Sequence, residues 1–297
     1  MTEIENLEEY QIIKASMDEL VASMDDGSNM KKMMLHICSS GGKSIRPIIL
    51  MLCTEICEAD SRKSINAALA IELIHSASLI HDDVLDDGVL RRGVESAHKK
   101  YGIPAAILCG DFLISKAISL ISSYGTDSVL EFGRAGMYMA EGETIDISSA
   151  DNEFRKKNYF DCISKKTASL FAASAAIGAY VAGADRDLAL KLRDFGECVG
   201  NAYQIVDDLL EYLDRLEDKQ STYESVTLPL ILRRSLGHEE TIRATVEEVN
   251  FYVTRAKKIL DEFSPSDAKD KLLMITDLIT LDMLPANILE ANCPNKS

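Results

Sequence analysis

Apolar residues recur every three to four positions from the start of the chain. Leu7, Ile12, Ile13, Met17, Leu20 and Val21 mark one face over 7–24, the spacing of an amphipathic helix. Breaks follow at Asp25-Asp26-Gly27-Ser28 and at Ser39-Ser40-Gly41-Gly42. From Pro47 to Ile56 almost every position is apolar, which predicts a helix buried on all sides. The run 64–86 has the same character and ends in His81 and a group of carboxylates. Helical spacing continues through 104–122, 127–149, 156–182, 186–216, 226–236, 238–262 and 266–290. The joints carry turn residues such as Gly-Ile-Pro, Ala-Gly-Ala-Asp and Ser-Pro-Ser. No segment alternates with a period of two, and no repeat or linker divides the chain. The pattern predicts a single all-α domain over 1–297, a bundle of about ten helices.

Composition supports the helices. Gly (16) and Pro (6) are scarce, about 7% of 297 residues, where about 12% is usual. A formal charge of −16 argues against a nucleic-acid footprint or an anionic membrane surface, while leaving room for local basic pockets. The seven cysteines form no CxxC pair and have no zinc-like histidine spacing, so they read as reduced thiols of a cytoplasmic protein. The acidic start lacks the apolar core of a signal peptide, and no apolar stretch of about 18 residues is evident, so no transmembrane segment is expected.

The densest chemistry is His81-Asp82-Asp83-Val84-Leu85-Asp86-Asp87. On a helix Asp82 and Asp86 share a face. Carboxylates following an apolar run are costly unless a cation answers them, and Mg²⁺ suits them because it bridges carboxylate and phosphate oxygens. Alone, the cluster is equally an ordinary solvated helix end. A second cluster, Gln204-Ile205-Val206-Asp207-Asp208-Leu209-Leu210-Glu211, repeats the pattern inside another apolar helix, with Asp207 and Glu211 on one face. Two such clusters facing each other would form a metal cage with room for a diphosphate.

Basic groups supply the complement. Gly41-Gly42-Lys43-Ser44-Ile45-Arg46-Pro47 is a flexible loop entering a helix, with Lys43 and Arg46 placed to grasp a phosphate. Arg91-Arg92-Gly93 follows the first acidic cluster; the plain alternative is charge balance for Asp86 and Asp87. Lys165-Lys166-Thr167 precedes an apolar turn and is either a phosphate contact or a solvated face. His75, two turns before Asp82, either faces the same cavity or is a hydrogen-bonded core histidine. Walker A, GxGxxG, HExxH and GxSxG motifs are absent from the sequence.

Taken in order, GGKSIRP (41–47), HSASLIHDDVLDDGVLRRG (75–93), KKTASLF (165–171), GNAYQIVDDLLEY (200–212) and TLPL (227–230) resemble the trans-prenyltransferases, or polyprenyl diphosphate synthases, over roughly 37–232. The resemblance is to the geranylgeranyl and geranylfarnesyl type of medium-chain synthase. It implies an all-α bundle around a deep central cavity, of the isoprenoid synthase type, usually a homodimer. It implies that Lys43, Arg46, His75 and Arg92 hold isopentenyl diphosphate. Arg91, Lys166, Thr167 and Gln204 would hold the allylic diphosphate. Asp82, Asp86 and Asp207 would bind Mg²⁺, commonly three ions. Asp82, Asp86, Lys166 and Asp207 are thus the catalytic set. The implied reaction ionises the allylic diphosphate, couples the cation to isopentenyl diphosphate and releases a proton.

The chain departs from the family pattern in two places. Glu211 stands where aspartate is usual, and it keeps a carboxylate at the metal position. The stretch after Asp208 is short and lacks the usual Gly-Lys pairs; Ser225 takes the place of the second lysine, and Lys219 is the candidate replacement for the allylic diphosphate. Two other readings remain: a class I terpene cyclase, which needs no isopentenyl site, and a non-catalytic regulatory subunit, which typically loses motif aspartates.

Product length follows from the helix carrying Asp82. Bulky aromatics four or five residues before the first aspartate close short-chain cavities in the family. Here those positions are Ser78 and Ala77, both small, so Ile74 and Ile71 become the candidate floor, one and two turns deeper at about 5.4 Å per turn. The predicted product is C25, with C30–C35 next, unless Phe112 or Tyr138 closes the cavity at C20.

Overall fold

A computed structural model describes residues 2–39, 41–150, 155–217 and 225–292. The protein is all-α. The chain divides into two compact units, Met1–Phe132 with Ile177–Ala184, and Gly133–Ala176 with Asp185–Ser297.

The first unit opens with α1 (Thr2–Glu5), α2 (Glu8–Ala22) and α3 (Asn29–Ser39). Glu8 and Glu9 start α2 where negative charge meets the positive helix end. The Ser28 hydroxyl accepts from Lys31 N at 3.1 Å and caps α3. Helix α4 (Ile45–Ile56) is buried along nearly its whole length, as its apolar run requires. Its Thr54 hydroxyl bonds the Leu50 and Gly178 carbonyls, both at 3.1 Å. Helix α5 (Ile65–Leu85) carries the first acidic motif. A hairpin follows, β1 (Leu90–Arg91) antiparallel to β2 (Val94–Glu95). Its two-residue turn has positive φ at Arg92 (53°) and Gly93 (80°), the twist that tight hairpins need. These strands are too short to show alternation in the sequence, which gave no hint of them. Helices α6 (Ala97–Tyr101) and α7 (Ile103–Ile121) complete this part, and α5 packs most extensively on α7.

Helix α8 (Gly125–Ile147) passes from the first unit into the second. Helix α9 (Lys156–Ile163) runs through a π-helical turn, Ser164–Ala168, into α10 (Ser169–Ala182). The 32-residue α11 (Arg186–Glu217) carries the second acidic motif. Then come α12 (Leu228–Arg233), α13 (His238–Asp261), α14 (Asp267–Leu278) and α15 (Ala286–Asn292). Helix α11 packs mainly on α13, around a core that includes Ile205, Leu209, Val246, Val249 and Val253.

One expectation needs correction. The helix expected over 266–290 is broken after Leu278 by a short 3₁₀ turn, Leu281–Met283, and by Pro285, which cannot continue the helical ladder. The helical run Ile103–Ile147 is apolar enough to cross a membrane by length and composition alone, a property that core helices share, and this does not overturn the expectation of no span. In α7 the apolar residues occupy two faces. Ala106, Cys109, Gly110, Leu113, Ala117 and Ile121 are buried, while Ile103, Ile107, Leu108 and Ile118 are exposed.

Candidate active site

In the first unit the Gly41–Ser44 loop leads into α4 and sets Arg46 in its first turn. Arg46 donates through an Nη to His75 Nε2 at 3.1 Å. That bond makes Nε2 the acceptor and leaves the ring proton on Nδ1. Burial, then Arg46, Arg92 and Arg91, hold the His75 pKa well below the ordinary range, so the imidazole is neutral. One turn earlier, Glu72 accepts the Ser44 hydroxyl at 3.3 Å. Burial raises the Glu72 pKa, and the Arg46 charge, the Ser44 bond and the Arg92 charge oppose it.

The Arg91-Arg92 pair does not balance Asp87. Arg91 donates from Nε (3.0 Å) and an Nη (2.5 Å) to the buried Asp83 carboxylate. Arg92 donates to the Gly41 carbonyl. Asp87 is met instead by Lys99 at 2.5 Å and by His98 at 3.4 Å. Glu72, His75, Asp83, Arg91 and Arg92 line the polar part of a cavity of about 360 Å³, with Ile13, Met34 and Leu79 among its apolar walls. Lys43, Arg46, Asp82 and Asp86 are not among its lining residues; Arg46 reaches it through its bond to His75. Asp82 is half-buried and Asp86 exposed on the last turn of α5, where the Asp86 amide donates to the Asp82 carbonyl at 2.9 Å.

The chain-length candidates lie on another face of α5. At 3.6 residues per turn, Ile74, Ala77 and Ser78 stand roughly opposite Glu72, Ser76 and Asp83. Ile71, Ile74 and Ala77 are buried, and the Ser78 hydroxyl is spent on the His75 carbonyl at 2.8 Å. None of the four lines the 360 Å³ cavity. His81, on their side, sits tightly against Gly110 of α7, where a Cβ would come within 2.7 Å of the imidazole carbons.

In the second unit a cavity of about 170 Å³ gathers Lys166, Thr167, Gln204, Asp207 and Glu211, together with Asp146, Tyr159 and Asp208. The π-helical turn presents Lys166 and Thr167; such turns displace side chains from regular helical register. Lys166 pairs with Asp146 at 2.6 Å and Glu143 at 2.7 Å, both on α8. Burial works against its charge, but the two carboxylates prevail and raise its pKa. Thr167 donates to Gln204 Oε1 at 2.7 Å, Gln204 donates to Asp208 Oδ1 at 2.9 Å, and Tyr159 donates to Asp208 Oδ2 at 2.6 Å. Burial pushes Asp208 up to about 7 against the bonds from Tyr159 and Gln204. Glu211 is paired with Arg215. Lys219 lies outside the described residues.

Several members of these sites carried no assignment from the sequence, Glu72, Asp83, Asp146, Asp208 and Tyr159 among them. Glu72 is three residues before His75, so helical spacing could have found it. Asp208 is the motif aspartate next to the assigned one. Tyr159 is 49 residues away from it, and nothing local announces the contact. Among the described residues no group of three or more His, Cys, Asp or Glu forms a complete protein-only metal cluster.

Residues 28–249 match the polyprenyl synthetase family. The chain belongs to that family. It is a prenyltransferase. It is 50% identical over 281 residues to a geranylfarnesyl diphosphate synthase of Methanosarcina mazei, covering 95% of each chain. It is 37% identical to a geranylgeranyl diphosphate synthase of Sulfolobus acidocaldarius over 68% of this chain and 64% of that one. Among solved structures, a geranyltranstransferase from Methanosarcina mazei aligns with TM-score 0.83 at 48% identity, over 95% of this prenyltransferase and 100% of that chain. A polyprenyl synthase from Caulobacter crescentus, complexed with calcium and isoprenyl diphosphate, aligns with TM-score 0.80 at 29% identity, over 91% and 94%.

Proposed function

We propose that this prenyltransferase condenses isopentenyl diphosphate with an allylic diphosphate and releases mainly all-trans geranylfarnesyl diphosphate, C25. The observation that carries the length is the 50% identity, across 95% of both chains, to a relative named for that product. Small Ala77 and Ser78 before Asp82 agree with it.

Arg46, His75 and Arg92, with Lys43 beside them, are assigned to isopentenyl diphosphate. A neutral His75 there donates no charge but keeps Arg46 in place. Lys166, Thr167, Gln204, Arg91 and Lys219 are assigned to the allylic diphosphate, and Asp82, Asp86, Asp207 and Glu211 to Mg²⁺. The donor set fits a hard cation. The second cavity offers several carboxylates, while burial pushes its one thiol, Cys162, up to about 12 and so keeps it protonated. Bound there, the ions would neutralise charge building on the leaving diphosphate. Lys166 adds a fixed positive charge to the same task.

The single-domain organisation, a homodimer and a cytoplasmic location belong to the same proposal. The exposed Ile103, Ile107, Leu108 and Ile118 of α7 supply an apolar face for a second copy. The described cysteines are all unpaired, in keeping with a reducing compartment.

Incubation with labelled isopentenyl diphosphate, allylic primers and Mg²⁺, followed by phosphatase and chain-length separation, tests this reading. A C25 alcohol is expected. A main product of C15 refutes the proposed length. Cyclic hydrocarbons formed without isopentenyl diphosphate mark a cyclase, and no turnover until a second subunit is added marks a regulatory subunit.

A further inference from the structure

Glu72 has no part in the reaction outlined above, yet it stands where two strained loops meet. Ser44 and Arg92 both have left-handed backbones, with φ of 45° and 53°, a conformation that a side chain disfavours. Each is tied down at this place. Ser44 donates to Glu72 Oε1 at 3.3 Å, and Arg92 donates across to the Gly41 carbonyl. Gly42 lets the three groups close up: a Cβ there would lie 2.8 Å from an Arg92 Nη and 3.7 Å from Glu72 Oε1.

Charge points the same way. Three arginines act on His75, which is neutral and compensates none of them. Arg91 is answered by Asp83. Glu72 is a carboxylate that feels the charge of both Arg46 and Arg92. Removing it takes away an attraction that both guanidiniums feel at the loop that presents them.

We propose that Glu72 is a positioning residue: it holds the 41–44 loop and the 90–95 hairpin in the shape that presents Arg46, His75 and Arg92 to a diphosphate. The identity of that diphosphate as isopentenyl diphosphate rests on the function proposed above. The carboxylate also repels an incoming anion. Ordering the two arginines outweighs that repulsion, and removing Glu72 weakens binding.

The test compares Glu72→Ala, Glu72→Gln and Arg46→Ala in steady-state kinetics with each substrate varied, alongside thermal melting. Glu72→Ala should raise KM for isopentenyl diphosphate about tenfold, the scale of one lost charge-assisted contact, and leave KM for the primer within about twofold. Glu72→Gln keeps an acceptor for Ser44 and should show a smaller rise, about threefold on the same scale. It also serves as the readout if the alanine variant does not fold. A merely structural role would move the melting temperature and both KM values together. That outcome, an unchanged KM for isopentenyl diphosphate, or tighter binding in either Glu72 variant overturns the proposal. Arg46→Ala separates the two levels. If it moves the primer KM instead, the identity assigned to the diphosphate fails, and Glu72 is judged by whether its variants move that same primer KM.

Discussion

Gly142→Ala is a one-carbon change that reaches Lys166, the lysine proposed to act on the allylic diphosphate. Gly142 lies on α8 against the π-helical turn. A Cβ there would come within 2.7 Å of Lys166 Cα and closer still to its backbone nitrogen. Carbon contacts are comfortable at about 3.5–4.0 Å, so the two backbones must part by about 1 Å. No flexible side chain can absorb that strain. Overpacking of this kind costs about 1–3 kcal/mol, and alanine returns about 1 kcal/mol of helix propensity, so the net loss of stability is about 0–2 kcal/mol. The kinetic effect should be larger. Helix α8 also carries Asp146 and Glu143, which hold the Lys166 ammonium at 2.6 and 2.7 Å, so the lysine moves relative to its own supports. A misplacement of about 1 Å at a catalytic group lowers turnover by up to about 100-fold. Single-turnover and steady-state assays with the primer varied should show kcat falling about 10- to 100-fold and primer KM rising. Gly133→Ala is the control on the same helix, since a Cβ there meets nothing within 4 Å. It should gain about 0.5–1 kcal/mol and keep wild-type kinetics. If Gly142→Ala behaves like Gly133→Ala, Lys166 does not depend on the close approach of α8.

Asp82→Ala or Asp207→Ala should abolish turnover at saturating Mg²⁺ while far-UV circular dichroism stays native; a loss below about tenfold would remove these residues from the metal-ligand set. His75 should not titrate by NMR between pH 5.5 and 8. Because its folded pKa is depressed below about 6.5, its contribution to stability is complete above that value and declines as pH falls below it, so a melting temperature that rises on acidification from pH 7 would contradict the buried neutral ring. Ala77→Phe should shorten the product to C20 or C15, and Ile74→Ala should lengthen it. An unchanged product in Ala77→Phe would separate the growing chain from this face of α5.

The amino-acid sequence by itself determined the helical class, most helix limits, the two acidic motifs and the family. The helices and the acidic motifs rest on spacing within a few turns of one helix, where periodicity fixes which side chains share a face, whereas the family rests on the resemblance of five motifs in order along the chain. The 186–216 run appears as a single helix, Arg186–Glu217, because its apolar positions recur without a breaker. Short elements escaped this reading: a two-residue strand has no period to detect, and Pro285 interrupts a run whose polarity alone looked continuous. Pairings decided by tertiary packing were equally silent. The basic pair after the first motif is adjacent to Asp86 and Asp87 in the chain, yet the hairpin turn aims Arg91 at Asp83 and Arg92 at the Gly41 carbonyl. The bond from Tyr159 to Asp208 joins positions 49 residues apart, and the approach of Gly142 to Lys166 depends on how closely two helices pack. Local spacing determines which face a residue occupies, but only the packed chain determines what that face meets.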